Sequence, residues 1–367
     1  MKNPPKTPLT AIPRDIVAAC DYERVARQHL DDNAWAYLQG AAADELTAAA
    51  NVDALAALPL LPRMLADVRG GHTRCSLFGE TLAHPVLLAP VAYQKLFHAD
   101  GEKATALAAG ALEATMLLST LATTTLEAVA AAGQGPKWFQ LYWQGDRQAS
   151  LALVRRAEAA GYRALVLTVD APLAGIRNRE QRAGFALPPG LAAVNVPLPA
   201  KIPPPGPGAS PVFDGMMAIA PRWDDVAWLL GETRLPVLLK GLLHPADARQ
   251  AVGLGVHGLI VSNHGGRVLD TVPASIDALP AIRATVGAGF PLLLDGGIRR
   301  GSDVFKAIAL GASAVLVGRP YVHALAVAGA LGVAHLIRIL REELEATMAL
   351  CGCRTLADIT PAHVLSA

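Results

Sequence analysis

Eight short apolar or β-branched runs, each followed by a small or polar residue and then by helix-period text, predict an α/β chain closed into a (β/α)8 TIM barrel. The runs cover residues 86–89, 116–119, 138–142, 164–169, 237–240, 258–262, 292–295 and 314–318. Each is nearly continuous in apolar side chains, as a parallel strand buried on both faces reads. The rival architecture, an open doubly wound sheet, lacks its nucleotide signature, because no Gly-x-Gly-x-x-Gly follows the first run. All 367 residues read as one domain: 1–85 an N-terminal helical and hairpin segment, 86–320 the barrel, and 321–367 C-terminal helices.

Taken in order, residues 21–50 read as helical, with Tyr22, Val25, Leu30, Trp35 and Leu38 as the apolar positions and Gly40 interrupting. Between 59 and 79, Pro62 and Gly70-Gly71 break the pattern, and Cys75-Ser76-Leu77-Phe78-Gly79 suggests a small hairpin or a lid. Helices are expected at 101–113, 124–132, 147–160, 223–230, 245–252, 276–286 and 302–310, followed by a helical tail at 321–349. The one long insertion, 171–222, follows the fourth barrel strand and is rich in proline (Pro188-Pro189, Pro203-Pro204-Pro205, Pro207). In a barrel such a loop lies on the catalytic face and is expected to act as a lid.

Composition narrows the function. Lys+Arg number 32 against Asp+Glu 31, so no basic surplus argues for nucleic acid and no acidic surplus for a disordered chain. Cys351 and Cys353 lack the second pair or the histidines of a zinc site, so buried reduced thiols and no metal are expected. Residues 1–13 carry no apolar core of a secretory signal. No apolar run of about 18 residues free of charge or turn residues is read, so a cytoplasmic chain without a membrane span is expected.

The strand ends of a barrel face one another across its mouth. They carry Pro90-Val91-Ala92, Ser119, Gln140, Tyr142, Thr168, Asp170, Lys240, Ser262 to Arg267, Asp295 to Arg299, and Gly318-Arg319. Loops after the seventh and eighth strands frequently bind phosphate, with glycines admitting backbone N–H groups and an arginine supplying charge. Two tight turns with solvated arginines are the bland alternative. Lys240 suits an ammonium facing an anionic cofactor or a Schiff-base amine, or it snorkels to solvent. Gln140 and Thr168 suit the carbonyls and ring nitrogens of a heterocycle, though either also serves as a structural hydrogen-bonder. His264 and Arg267 share one glycine-rich turn after the sixth strand.

In combination these motifs carry a resemblance. Ser262-Asn263-His264-Gly265-Gly266-Arg267-Val268-Leu269-Asp270, Asp295-Gly296-Gly297-Ile298-Arg299-Arg300-Gly301 and Gly318-Arg319-Pro320 resemble the FMN-dependent L-2-hydroxy-acid oxidase and dehydrogenase family, which includes glycolate, lactate and hydroxymandelate oxidases. Further matches are Tyr37 in Tyr-Leu-Gln-Gly-Ala-Ala-Ala-Asp, Ala89 to Gln94, Phe139-Gln140-Leu141-Tyr142, Leu167 to Asp170 and Lys240-Gly241, so the similarity spans roughly Tyr22 to Thr360. The resemblance implies FMN, with its phosphate at Gly297, Arg299, Gly318 and Arg319. Its ring would rest on Pro90, Val91 and Ala92, near Ser119, Gln140, Thr168, Lys240, Ser262 and Asp295. It further implies His264 as catalytic base with Asp170 as partner, Arg177 and Arg267 as the substrate-carboxylate clamp, Tyr37 and Tyr142 as hydroxyl donors, and a homotetramer.

The chemistry is coherent on its own terms. An arginine pair grips a carboxylate in bidentate fashion, and an imidazole beside a carboxylate takes the proton that leaves as a 2-hydroxy acid is oxidised to the 2-oxo acid. Removal of the hydroxyl proton and removal of the Cα proton use the same residues. Leu121 stands where relatives carry a tryptophan lining the substrate side chain, and Ile176 where glycolate oxidases carry a second arginine. The expected substrate is therefore larger than glycolate, lactate- or mandelate-like. Molecular oxygen giving hydrogen peroxide is the expected acceptor, with a quinone-linked dehydrogenase as the near alternative. An FMN-dependent isomerase and a non-catalytic phosphate-binding barrel are the remote ones.

Overall fold

The computed structural model describes residues 5–196 and 208–365. Three helices lead: α1 (Ala19–Ala26), α2 (Asp32–Gln39) and α3 (Leu46–Ala56). The single helical stretch expected there is divided: α1 ends at Ala26, and Asp31 starts α2 afresh, its carboxylate accepting the Ala34 N–H at 2.7 Å. Strands β1 (Cys75–Leu77) and β2 (Glu80–Leu82) form an antiparallel hairpin.

Strands β3 (Val86–Leu88), β4 (Met116–Ser119), β5 (Lys137–Leu141), β6 (Leu165–Thr168), β7 (Val237–Leu242), β8 (Gly258–Ser262), β9 (Leu292–Asp295) and β10 (Ala314–Val317) close into an eight-stranded parallel barrel, β10 pairing with β3. The expected runs thus become the barrel in order. Several lose a terminal residue to the following loop, and β7 gains two beyond Lys240, where its register with β8 shifts. The helices are α4 (Gly101–Ala111), α5 (Leu126–Ala130), α6 (Arg147–Ala159), α7 (Asn178–Ala183), α8 (Trp223–Glu232), α9 (Pro245–Leu254), α10 (Ser275–Val286), α11 (Gly301–Ala309) and α12 (Arg319–Leu350).

Period two along the strands divides the core. Leu88, Leu118, Phe139, Leu167, Leu239, Val261, Leu294 and Val317 pack outward among the helices. Leu87, Leu117, Trp138, Val166, Leu238, Ile260, Leu293 and Leu316 fill the lumen. The hairpin β1–β2 belongs to the lumen cluster, with Phe78 edge-on to Trp138 at 5.6 Å between ring centroids. It therefore plugs the end of the barrel opposite the strand carboxyl ends, and the lid alternative for this segment is corrected.

Helix α12 is long and apolar enough to cross a bilayer, and 72% of that apolar window is buried inside the protein. It is two helices joined at Ala328 and Gly329, where the backbone leaves helical angles. Cys351 and Cys353 are buried thiols, whereas Cys20 is exposed. The described first part of the 171–222 insertion folds back on the N-terminal segment. Ala43 donates its N–H to the Ile176 carbonyl at 2.7 Å, and Arg179 pairs with Glu45. Pro203, Pro204, Pro205 and Pro207 lie outside the described residues.

Candidate active site

Lumen parity selects the groups at the mouth. The inward residue at the carboxyl end of six strands is Ser119, Gln140, Thr168, Lys240, Ser262 or Asp295, each at least nine-tenths buried. The strands thus end in a polar layer above an apolar one. A cavity of about 550 Å³ opens over this layer, within the range of cofactor pockets.

Its floor is an ion pair. Lys240 Nζ lies 2.8 Å from Asp295 Oδ2 and donates to Ser262 Oγ at 2.9 Å. Ser262 Oγ donates onward to Asp295 at 2.7 Å and accepts the His264 N–H at 2.9 Å. Burial opposes the ammonium charge, but Asp295 and Asp170 outweigh it and hold the Lys240 pKa above its ordinary value. Ser262 and Gln140 stand behind the cavity wall. Gln140 donates to Thr168 Oγ1 at 3.0 Å and accepts the Thr120 N–H at 3.1 Å, which leaves Thr168 and Ser119 on the lining.

Pro90, Val91 and Ala92 form a wall of backbone beside Ser119 and Leu121. Sequence reasoning missed what fixes it. The fully buried Glu102 carboxylate accepts the N–H groups of Gln94 and Thr123 and the hydroxyls of Thr123 and Thr124, joining the loops after β3 and β4.

The expected phosphate corner divides. At α11, Asp303 accepts the N–H groups of Arg299 and Arg300 at 2.9 Å, and Glu343 accepts that of Gly301 at 2.8 Å. Carboxylates therefore already fill that helix start. Gly297 (φ +85°) packs on α3, where a Cβ would lie 2.2 Å from the Asn51 carbonyl oxygen. Gly318 and Arg319 at the start of α12 line the cavity, and Arg299 lies behind them, near enough to act on the Arg319 charge. The Arg319 guanidinium donates to the carbonyls of Leu38, Gly265 and Gly40. Burial, with repulsion from Arg267 and Arg299, pulls its pKa down to about 9. Uncompensated positive charge at a helix N-terminus fits a phosphate.

Across the mouth, His264 Nδ1 is 3.0 Å from Asp170 Oδ1, and Tyr142 Oη is 3.2 Å from His264 Nε2. His264 holds a left-handed φ of +58°. Its turn is pinned by reciprocal 2.8 Å amide bonds between Asn263 and Asn51, while Asp270 accepts the N–H groups of Asp44, Leu46 and Thr47 at the start of α3. Burial alone would raise the Asp170 pKa, but His264 and Lys240 hold it below the ordinary carboxylate value. The ionised Asp170 keeps a proton on Nδ1 and leaves Nε2 facing Tyr142 and the cavity. Gly241 (φ +109°) lets Asp170 approach, since a Cβ there would lie 2.4 Å from the carboxyl carbon.

Arg177 and Arg267 meet at the other side. Arg267 donates through Nη1 to the carbonyls of Tyr37 and Gly40 and through Nη2 to Glu180 at 3.0 Å, its guanidinium 5.0 Å from the Tyr37 ring centroid. Arg177 donates through Nε to the Arg267 carbonyl at 3.2 Å, and its Nη1 is 3.4 Å from both Glu180 oxygens. Tyr37 stacks on Phe185 at 4.7 Å. Glu180 and Phe185 were not anticipated, because the α7 segment carries no periodicity that separates a cavity-facing side chain from a solvated one, and Tyr93, in the loop after β3, was given no role.

Comparison with known proteins agrees with this geometry. The family described as FMN-dependent dehydrogenase matches residues 26–366. The L-lactate oxidase of Alicycliphilus denitrificans is 55% identical over 96% of this chain and 98% of its own. The glycolate oxidase of Spinacia oleracea is 42% identical over 95% and 96%. A crystal structure of mandelate oxidase with (S)-2-phenylpropionate superposes with a TM-score of 0.87 at 43% identity, covering 96% of this chain and 98% of that one.

Proposed function

Because the chain belongs to the FMN-dependent dehydrogenase family, we propose that it oxidises a short L-2-hydroxy acid, L-lactate foremost, to the 2-oxo acid with O2 as electron acceptor. The observation that carries the reading is the His264 imidazole, backed by Asp170 at 3.0 Å and facing the same cavity as Arg177 and Arg267. L-Lactate is favoured among substrates because relatives at 55% and 50% identity are named L-lactate oxidases.

FMN, when bound, supplies the two-electron acceptor for the hydride equivalent at the substrate Cα and returns those electrons to O2. The residues that would hold it are Pro90 to Ala92, Ser119, Thr168 and Lys240 at the ring and Gly318 with Arg319, backed by Arg299, at the phosphate. Arg177 and Arg267 bind the substrate carboxylate and so set which Cα substituent points toward the ring. His264 Nε2 takes the substrate proton, and Asp170 stabilises the resulting imidazolium. Tyr142 donates to the substrate oxygen beside Nε2, and Tyr37 closes the carboxylate side.

Hydrogen peroxide as second product and a homotetrameric assembly extend the same reading. Holoenzyme mixed anaerobically with L-lactate should bleach and recolour on admission of air, with one peroxide formed per 2-oxo acid. Persistent reduction in air until a quinone is added would exclude the oxidase. His264→Ala should retain FMN and lose bleaching, whereas a colourless variant would assign His264 to structure.

A further inference from the structure

Inside the arginine clamp sits a carboxylate of the chain's own. Glu180 lies on α7, three residues after Arg177, with only 12% of its side chain exposed. Its Oε1 accepts from Arg267 Nη2 at 3.0 Å, and both its oxygens lie 3.4 Å from Arg177 Nη1. Its Cγ lies over Gly40 at the α2 terminus, where a Cβ would come within 3.3 Å of it. Glu180 lines the same cavity as both arginines.

Counting charges and donors shows the consequence. Two guanidiniums and one carboxylate leave the clamp with a single net positive charge. Arg267 has committed Nη1 and one Nη2 hydrogen, and Arg177 has committed Nε and Nη1. Arg267 Nε with its second Nη2 hydrogen, and Arg177 Nη2, remain for an incoming ligand, which is enough for one carboxylate held by two arginines. The groups facing the pair are Tyr37, Tyr142, Glu180 and Arg319, which shares the Gly40 carbonyl with Arg267, so Glu180 is the anion paired directly with both clamp guanidiniums.

We propose that Glu180 is a specificity-determining residue that holds the clamp at one net positive charge, matching it to a 2-hydroxy monocarboxylate and rejecting a substrate with a second carboxylate. This rests on the proposed reaction. Repulsion from the Glu180 carboxylate costs a monoanion one increment and a dianion a second, so discrimination comes from the difference.

The test compares kcat/KM for L-lactate and L-malate, which differ by a carboxylate on the methyl carbon, in the wild-type holoenzyme, Glu180→Gln and Glu180→Asp. In Glu180→Gln the lactate-to-malate ratio should fall by about tenfold or more, mainly through KM, as removal of one partly buried charge implies. Glu180→Asp, which keeps the charge, should retain most of the preference. An unchanged ratio in Glu180→Gln, or an equal rise in both KM values, would overturn the proposal and leave Glu180 a packing residue. Titrating the flavin absorbance with propionate and succinate reads the same selectivity without turnover. That measurement separates a failure of this inference from a failure of the proposed reaction, and it serves for any variant that binds FMN but does not turn over.

Discussion

Replacing Asp170 by asparagine isolates what the carboxylate does for the base. The imidazolium formed at His264 would lie 3.0 Å from Asp170 Oδ1, with 18% and 12% of the two side chains exposed. Two unit charges at about 4 Å in an effective dielectric near 20 interact by about 4 kcal/mol. Solvent and the nearby Lys240 halve this to about 2 kcal/mol, which at about 1.4 kcal/mol per decade is about 30-fold in rate. A second loss adds to it. The asparagine amide can donate to Nδ1 and drive the proton onto Nε2, the wrong tautomer for a base. The expected fall in the anaerobic rate of flavin bleaching by L-lactate is therefore about 10² to 10⁴, with FMN content retained. The depressed Asp170 pKa also has a stability consequence. A carboxylate whose folded-state value lies below its unfolded one contributes stability present above the unfolded value and lost as pH falls through the folded one. The variant should lack that part of the acid limb in a melting-temperature profile. A bleaching rate within about threefold of wild type would refute the reasoning, because that is less than one charge-assisted hydrogen bond.

Two further outcomes follow from the phosphate corner. Arg319 keeps its charge across the working pH range, so its attraction for the FMN phosphate, measured by fluorescence quenching, should weaken with rising ionic strength. Arg319→Gln should bind FMN weakly and with a shallower salt dependence, and an unaltered salt dependence in the variant would assign that attraction to another group. Gly297→Ala should lower stability by about 2–4 kcal/mol, from a left-handed φ and a Cβ 2.2 Å from the Asn51 carbonyl, read by urea unfolding of the FMN-free protein. FMN affinity in the folded variant should change little, since Gly297 packs on α3, and a selective loss of affinity would return Gly297 to the phosphate site.

The barrel was legible because its signal is local. Runs such as 258–262 are strands buried on both faces, and period two then puts Ser262, Lys240 and Thr168 on the lumen side without any knowledge of the loops. The chemical identity of the site was legible in the turn from Ser262 to Asp270, where an imidazole and a guanidinium share a glycine-rich loop. Only tertiary structure decided the rest. Whether the turn after β9 or the one after β10 faces the cavity depends on Asp303, Glu343 and Asn51, which arrive from α11, α12 and α3. The hairpin at β1–β2 became a plug because Phe78 meets Trp138 inside the lumen. Glu180 entered the clamp because α7 folds back over Gly40 and Ala43. Hydrophobic period records which face of an element is buried, and it carries no record of which distant element will cover that face. The strands and the catalytic turn were therefore readable in the chain, while the partners that set charge at the clamp and at the phosphate corner were decided by packing between segments up to 281 residues apart, as with Leu38 and Arg319.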